Sequence, residues 1–376
     1  MQASLLVEQL QSLGCDFFCG VPDSQLRAFC DCIISKYGIS EKHIIATNEG
    51  SCTAIAAGHF LATGRVPVVY MQNSGIGNAV NPIASLLNRR VYGIPCVFIV
   101  GWRGEPGLHD EPQHVFQGMV TIKLLDDMEI STFVLDTDTT KEDLQNKINE
   151  FRPLLSDGKS VAFIIKKNAL SNEEKIKYKN SNELSREKII NHITAVSGDD
   201  AIISTTGKSS RELFEARENN LQPHKCDFLT VGSMGHSLSI ALGVALNKPK
   251  TQVWCIDGDA AALMHMGTMA LVGSNKPKNM IHCVINNASH ESVGGMPTVS
   301  DDIDFVKIAK GCGYPNAVCV NNAKDLDKAL KDAKKRQALS FIEIKASISS
   351  RADLGRPTTT AIENKEKFME FLSQQK

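Results

Sequence analysis

Apolar residues gather in short β-branched runs, with stretches of helical spacing between them. The first series is DFFCGV (16–21), HIIATN (43–48), VPVVYMQ (66–72), IPCVFIV (94–100), STFVL (131–135) and VAFIIK (161–166). Strand-length runs alternating with amphipathic stretches predict a mainly parallel sheet wrapped by helices. Over NALSNEEKIKYKNSNELS (168–185) the apolar period is lost and Asn, Ser, Lys and Glu take over, which predicts a linker. The alternation then restarts with AIISTT (201–206), DFLTV (227–231), QVWCID (252–257), MIHCVIN (280–286), NAVCV (316–320) and SFIEIK (340–345). The expected organisation is therefore one domain over 1–168, a linker over 169–185 and a second domain over 186–376. Near-continuous apolar strands suit parallel sheets covered on both faces, so the fold class is α/β with two doubly wound, mainly parallel sheets. No short period repeats along the chain, which argues against solenoids and propellers.

Charge narrows the partners. Lys and Arg number 41 against 42 Asp and Glu, a formal net charge of −1. Nothing draws the whole molecule toward nucleic acid or an anionic membrane, so a charged ligand must be held locally. The 11 cysteines include no C-x-x-C pair, and several sit in apolar runs such as VWCID and IHCVIN, where a reduced thiol acts as a small hydrophobe. No window approaches 18 uninterrupted apolar residues, and MQASLLVEQLQSLG lacks the features of a signal peptide, so a cytoplasmic location is expected.

In open α/β sheets ligands bind beyond the carboxyl ends of the strands. The segments at those positions are Asn48-Glu49-Gly50, NSGIGN (73–78), RGEPGLHDEPQH (103–114), TGKSS (206–210), GSMGHS (232–237), DGDAA (257–261) and NNASHESVGG (286–295). Asp259 follows one strand and Asn287 the next; a carboxylate and an amide oxygen at neighbouring strand ends suit a hard cation such as Mg²⁺ or Ca²⁺. Gly258, Ala260 and Ala261 are small enough to let phosphate oxygens approach backbone N–H groups at a helix start.

From Gly258 to Asn287 inclusive is 30 positions, and this G-D-x to N-N interval resembles the signature of the thiamine diphosphate enzymes. The resemblance covers essentially the whole chain, in the order pyrimidine-binding domain then diphosphate-binding domain, without the central domain of pyruvate decarboxylase or acetolactate synthase. It implies thiamine diphosphate and Mg²⁺ as cofactors, with Asp259, Asn287 and the Ser289 main-chain carbonyl as metal ligands. Glu49 would be the activating glutamate, and Gly75 would lie beside the cofactor. Thr206, Gly207, Lys208, Ser209 and Ser210 would add diphosphate contacts. Gly232 and Ser233 would present Met234 as the apolar residue under the bent cofactor. The departure is Ala260, where the family usually has glycine; alanine costs little if φ is negative there.

Among these enzymes, GVPDS (20–24), NEGSC (48–52), HDEPQH (109–114), TGKSSRE (206–212) and GSMGHS (232–237) resemble the two-domain 2-keto acid decarboxylases that act on phosphonopyruvate or sulfopyruvate. A substrate of that kind carries two anionic groups, for which Arg103, Lys208, Arg211 and His290 are the cationic candidates. Asp23, Ser24, His109, Asp110 and His114 are candidates for handling protons or water. The family's usual arrangement implies at least a homodimer, with Glu49 of one copy serving the cofactor on the other. Two other readings stay open: a doubly wound phosphosugar or nucleotide enzyme using Asp259 with Mg²⁺, and a non-catalytic subunit that retains the fold.

Overall fold

The structure is a computed structural model and describes residues 1–375. The chain divides into two compact units, Met1–Lys177 and a second beginning at Tyr178. In the first, strands β1 (Phe18–Gly20), β2 (His43–Ile45), β3 (Val68–Gln72), β4 (Val97–Gly101), β5 (Ser131–Leu135) and β6 (Val161–Ile165) form one sheet in the order β2-β1-β3-β4-β6-β5. Every pairing is parallel. The inner strands β4 and β6 are buried along their whole length, as a sheet covered on both faces requires, whereas β5 at the edge is mostly half-buried.

The second unit contains β7 (Ala201–Ser204), β8 (Asp227–Leu229), β9 (Val253–Gly258), β10 (Met280–Asn286), a two-stranded antiparallel ladder of β11 (Ser289–His290) and β12 (Met296–Pro297), then β13 (Asn316–Val320) and β14 (Ser340–Lys345). Its main sheet is also parallel throughout, in the order β13-β14-β10-β9-β7-β8. Read from its β8 edge and leaving out the ladder, that order is second, first, third, fourth, sixth, fifth, the same as in the first unit. Alternation along β9 sends Val253 and Cys255 into the core on one face and Trp254 and Ile256 into the core on the other.

All twelve predicted strands are present; the short ladder β11–β12 is additional. Residues 168–185 contain no helix and no strand, yet they are tied down. Ser171 bridges to Gln2 and Ser35 donates to Glu174, whereas Asn180 donates to the main-chain oxygens of Asn287 and Ala346. No described helix is long and apolar enough to cross a membrane.

Candidate functional site

In the first unit the chain leaves β2 and reaches Asn48, whose extended backbone and side-chain oxygen cap the helix Glu49–Thr63 by accepting from the N–H of Gly50 at 2.7 Å. Glu49 thus occupies the first turn, where the helix dipole favours a carboxylate, but its side chain is only 5% exposed. Burial pushes its carboxyl above the ordinary range, and a hydrogen bond donated by Asn78 Nδ2 to Oε2 at 2.8 Å draws it partly back. Gly75 makes the room for this acid: a β-carbon there would lie 2.4 Å from Glu49 Oε1.

The same unit gathers a second set of polar groups at the ends of β1, β3 and β4. Asp23 is fully buried and accepts from Gln72 Nε2 at 2.5 Å and the Gln25 N–H at 3.0 Å; burial raises its carboxyl despite these donors and the nearby Arg103 charge. Arg103 makes a two-pronged pair with Asp110, at 2.8 Å from Nε and 2.5 Å from Nη2, and its Nη1 reaches Ser24 Oγ at 3.4 Å. Burial opposes the ionisation of Asp110, but Arg103 and the Gly104 N–H hold its carboxyl down to about 2. Ser24, Arg103, His109 and Asp110 line one cleft of about 580 Å³, together with Arg27, Lys167 and Lys175. His114 is buried beside this group, with its imidazole lowered to about 4 by burial and by the Arg103 charge.

In the second unit the strand-end segments close on one another. The Thr206 hydroxyl, after β7, accepts from the Gly232 N–H at 2.9 Å. Gly232, Ser233 and Gly235 all have positive φ, so the backbone around Met234 turns sharply. Gly235 lies against the helix Asp259–Met264, where a β-carbon would come within 2.7 Å of His265 and 3.0 Å of the Ala261 oxygen. Met234 itself is half-buried. Register places Gly258 opposite Ile285, so Asp259 and Asn287 leave neighbouring strands at the same level. Ala260 lies inside that helix and is not among the positive-φ residues, so alanine is tolerated there.

Asp259 is 2% exposed, and its Oδ2 accepts from Thr298 Oγ1 at 2.6 Å and Ser300 Oγ at 2.8 Å. Asn287 Oδ1 accepts from the Ser289 N–H, and Thr298 N–H donates to the Ala288 carbonyl, which folds 287–300 into a compact bracket beside Asp259. Asn78, Thr298 and Ser300 were not singled out in the sequence. Asn78 closes the flagged NSGIGN segment, whereas Thr298 and Ser300 stand 39 and 41 residues from Asp259 and carry no local signal.

The cationic candidates separate. Lys208 Nζ donates to Glu291 Oε1 and to Ser350 Oγ, both at 2.6 Å, so its charge is already matched. His290 is buried, and burial lowers its imidazole to about 4, which disfavours a positive charge there. Arg103 is held by Asp110. Arg211 is half-buried at the start of the helix Lys208–Asn219 and, among the described residues, has no ion-pair partner.

The donor set at the end of β9 and β10 fits a hard divalent cation. Asp259, Asn287 and the Ser289 carbonyl offer oxygen only. Burial raises the Asp259 carboxyl and no described basic side chain pairs with it, so a cation would supply the missing positive charge. Among the described residues the His, Cys and acidic side chains at metal-binding spacing are Cys255, Asp257 and His282, in the sheet interior. That trio reads as a core hydrogen-bond network: Ser237 Oγ donates to Asp257 Oδ1 at 2.5 Å, His282 Nε2 lies 3.3 Å from Oδ2, and burial keeps the Cys255 thiol protonated. Backbone N–H groups at 207–209 and 260–261, with the Thr206 hydroxyl between them and Gly232, would accommodate a diphosphate.

Two family descriptions match the chain: thiamine pyrophosphate enzyme, N-terminal TPP binding domain, over residues 2–130, and thiamine pyrophosphate enzyme, C-terminal TPP binding domain, over residues 205–344. These define a two-domain thiamine pyrophosphate enzyme. Phosphonopyruvate decarboxylase of Streptomyces viridochromogenes is 34% identical over 391 residues, covering 99% of this chain and 95% of the relative. That of Streptomyces hygroscopicus is 32% identical over 397 residues, covering 100% and 94%. Sulfopyruvate decarboxylase of Methanosarcina acetivorans is 24% identical over 362 residues, covering 90% and 89%. The chain belongs to the phosphonopyruvate decarboxylase family.

Proposed function

We propose that this protein decarboxylates 3-phosphonopyruvate to phosphonoacetaldehyde and carbon dioxide with thiamine diphosphate and Mg²⁺, and that the bracket closed around buried Asp259 is its cofactor site. The observation that carries this reading is the convergence of Thr206, Gly232, Gly235, Asp259 and Asn287 in one unit, while the other unit holds a buried Glu49 whose carboxyl burial raises. Bound there, thiamine diphosphate supplies the electron sink that no side chain offers for the negative charge left when carbon dioxide departs.

The chain's own residues do the rest. Asp259, Asn287 and the Ser289 carbonyl would hold the metal, and the N–H groups after β7 and β9 would hold the diphosphate oxygens. Met234 would pack against the cofactor. Glu49, whose carboxyl burial raises, would hydrogen-bond the cofactor's pyrimidine ring. After the carbon–carbon bond breaks, the former keto carbon needs a proton. Asp110 is ionised and bound by Arg103, and His114 is neutral, so neither is a ready donor near pH 7. Asp23, fully buried and bonded to Gln72, is the remaining candidate for that step, with burial raising its carboxyl above the ordinary range. Arg211 and the Arg103 Nη1–Ser24 edge are the groups left to meet the substrate's anionic ends.

The protein acts as at least a homodimer in this reading, with Glu49 of one copy serving the cofactor held by the other. The deciding assay measures carbon dioxide release from phosphonopyruvate, sulfopyruvate and pyruvate, with and without added thiamine diphosphate and Mg²⁺. Cofactor-dependent turnover of phosphonopyruvate above the other two is expected, and preference for sulfopyruvate or turnover without cofactor overturns the proposal. Mixing inactive Glu49→Ala with inactive Asp259→Ala protein tests the shared site: recovered activity is expected, and none under conditions that exchange subunits refutes it.

A further inference from the structure

Glu291 lies two residues beyond Ser289, in a short turn Glu291–Val293 between the ladder strands. Gly294 and Gly295 follow it, both with positive φ, and the Gly295 N–H closes the turn on the His290 carbonyl at 3.0 Å. What ties the turn to the rest of the unit is ionic. Glu291 Oε1 accepts from Lys208 Nζ at 2.6 Å and Oε2 from Arg186 Nη1 at 2.5 Å. Arg186 in turn makes a two-pronged pair with Glu212, at 2.7 and 2.8 Å. The Arg186, Glu212 and Glu291 side chains are 10%, 2% and 9% exposed, and two cations and two carboxylates balance in charge. Arg186 opens the helix Arg186–Ser197, and Lys208 opens the helix that follows Thr206 and Gly207.

A buried ion cluster is weak as a source of stability, because desolvating its members offsets most of their attraction. It does fix geometry. We infer that Glu291, gripped by Lys208 and Arg186, is a positioning residue that sets the segment 287–289 against the helix beginning at Lys208, and that Lys208 is a strut in this clamp and not a receptor for the diphosphate or the substrate. The inference rests on the reading of Asn287 and Ser289 as metal ligands. It accounts for a lysine beside the flagged strand-end segments whose charge is already taken, and for a turn tied by one carboxylate to the starts of two helices.

The test compares the full-length wild type with Lys208→Met, Glu291→Gln, the double variant and Lys208→Arg. Calorimetry reads the Mg²⁺-dependent binding of thiamine diphosphate, and hydrogen exchange without ligand reads the amides of Ser289 and Thr298. Each single loss should weaken Mg²⁺-dependent binding on the order of tenfold, as for other residues that orient metal ligands. The double variant should lose little more than the worse single one, because both break one clamp. Lys208→Arg should recover most of the affinity, and the two amides should exchange faster in Lys208→Met and Glu291→Gln. Losses that multiply in the double variant would mean that Lys208 touches the ligand itself, and unchanged affinity or unchanged exchange would mean that the clamp positions nothing; each overturns the inference. Failure of the wild type to bind the cofactor would instead refute the functional reading, while the ligand-free exchange would still report on the clamp.

Discussion

Gly75→Ala isolates the acid of the first unit with a single methyl group. Gly75 has φ −71° and ψ −16°, which alanine adopts freely, so the backbone sets no penalty. The penalty is contact: the new β-carbon would stand 2.4 Å from Glu49 Oε1 and 2.6 Å from its Cγ. Ordinary contact begins near about 3.5 Å, so the carboxyl must retreat by roughly 1 Å. Overpacking of this kind costs about 1–3 kcal/mol of stability, and a displacement of roughly 1 Å at a reacting group costs about 10²-fold in rate. We expect kcat for carbon dioxide release to fall about a hundredfold, with thermal unfolding lowered by a few degrees. Adding Glu49→Ala should restore the melting temperature without restoring activity, since it removes the colliding group and the acid together. Wild-type kcat in Gly75→Ala would show that the position of Glu49 beside Gly75 is immaterial to turnover, and a melting temperature that the double variant fails to restore would refute the steric argument.

Three further outcomes follow from the geometry. Asp259→Asn should abolish the thermal stabilisation that Mg²⁺ plus thiamine diphosphate give the wild type, which at about 100 times Kd amounts to roughly 2.7 kcal/mol, and a retained melting shift in that variant would remove Asp259 from the metal site. His114 titrates at about 4 in the fold against about 6.5 unfolded, so between those values the unfolded chain binds the extra proton and stability falls as pH falls, by about 1.4 kcal/mol per pH unit; melting curves of His114→Gln should be correspondingly flatter from pH 6.5 to pH 4. Arg217, fully buried, pairs with Asp227 at 2.8 and 2.9 Å, and Arg217→Met would leave that carboxylate buried and alone; a loss of about 3–5 kcal/mol by denaturant unfolding is expected, and a loss below 1 kcal/mol would contradict it.

The fold was legible because its strands carry their own signal. Runs such as VPVVYMQ and MIHCVIN are buried on both faces, so burial and β-propensity agree residue by residue. The ladder β11–β12 escaped because two residues per strand cannot display a period of two. The strand-end segments were visible as clusters of glycine, asparagine and acids, and TGKSS, GSMGHS, DGDAA and NNAS do meet in the second unit. Their supports were not visible. Thr298, Ser300 and Arg186 lie outside the flagged segments and Glu291 inside one without being singled out, and only the folded chain shows that each one's partner lies dozens of residues away. The pairing of Lys208 was hidden for the same reason, since a lysine at a helix start looks like a free cation until Glu291 is seen beside it.

Because all six main strands of each sheet pair only within their own unit, in the same spatial order, severing the chain between 177 and 178 would break no ladder. Glu49 and Met234 come after the second strand of their respective sheets, and Arg103 and Asn287 after the fourth, so one scaffold has been furnished twice with unlike tools. Evolution is therefore free to encode the half with Glu49 and the half with Asp259 as separate polypeptides, each mutating under its own constraints.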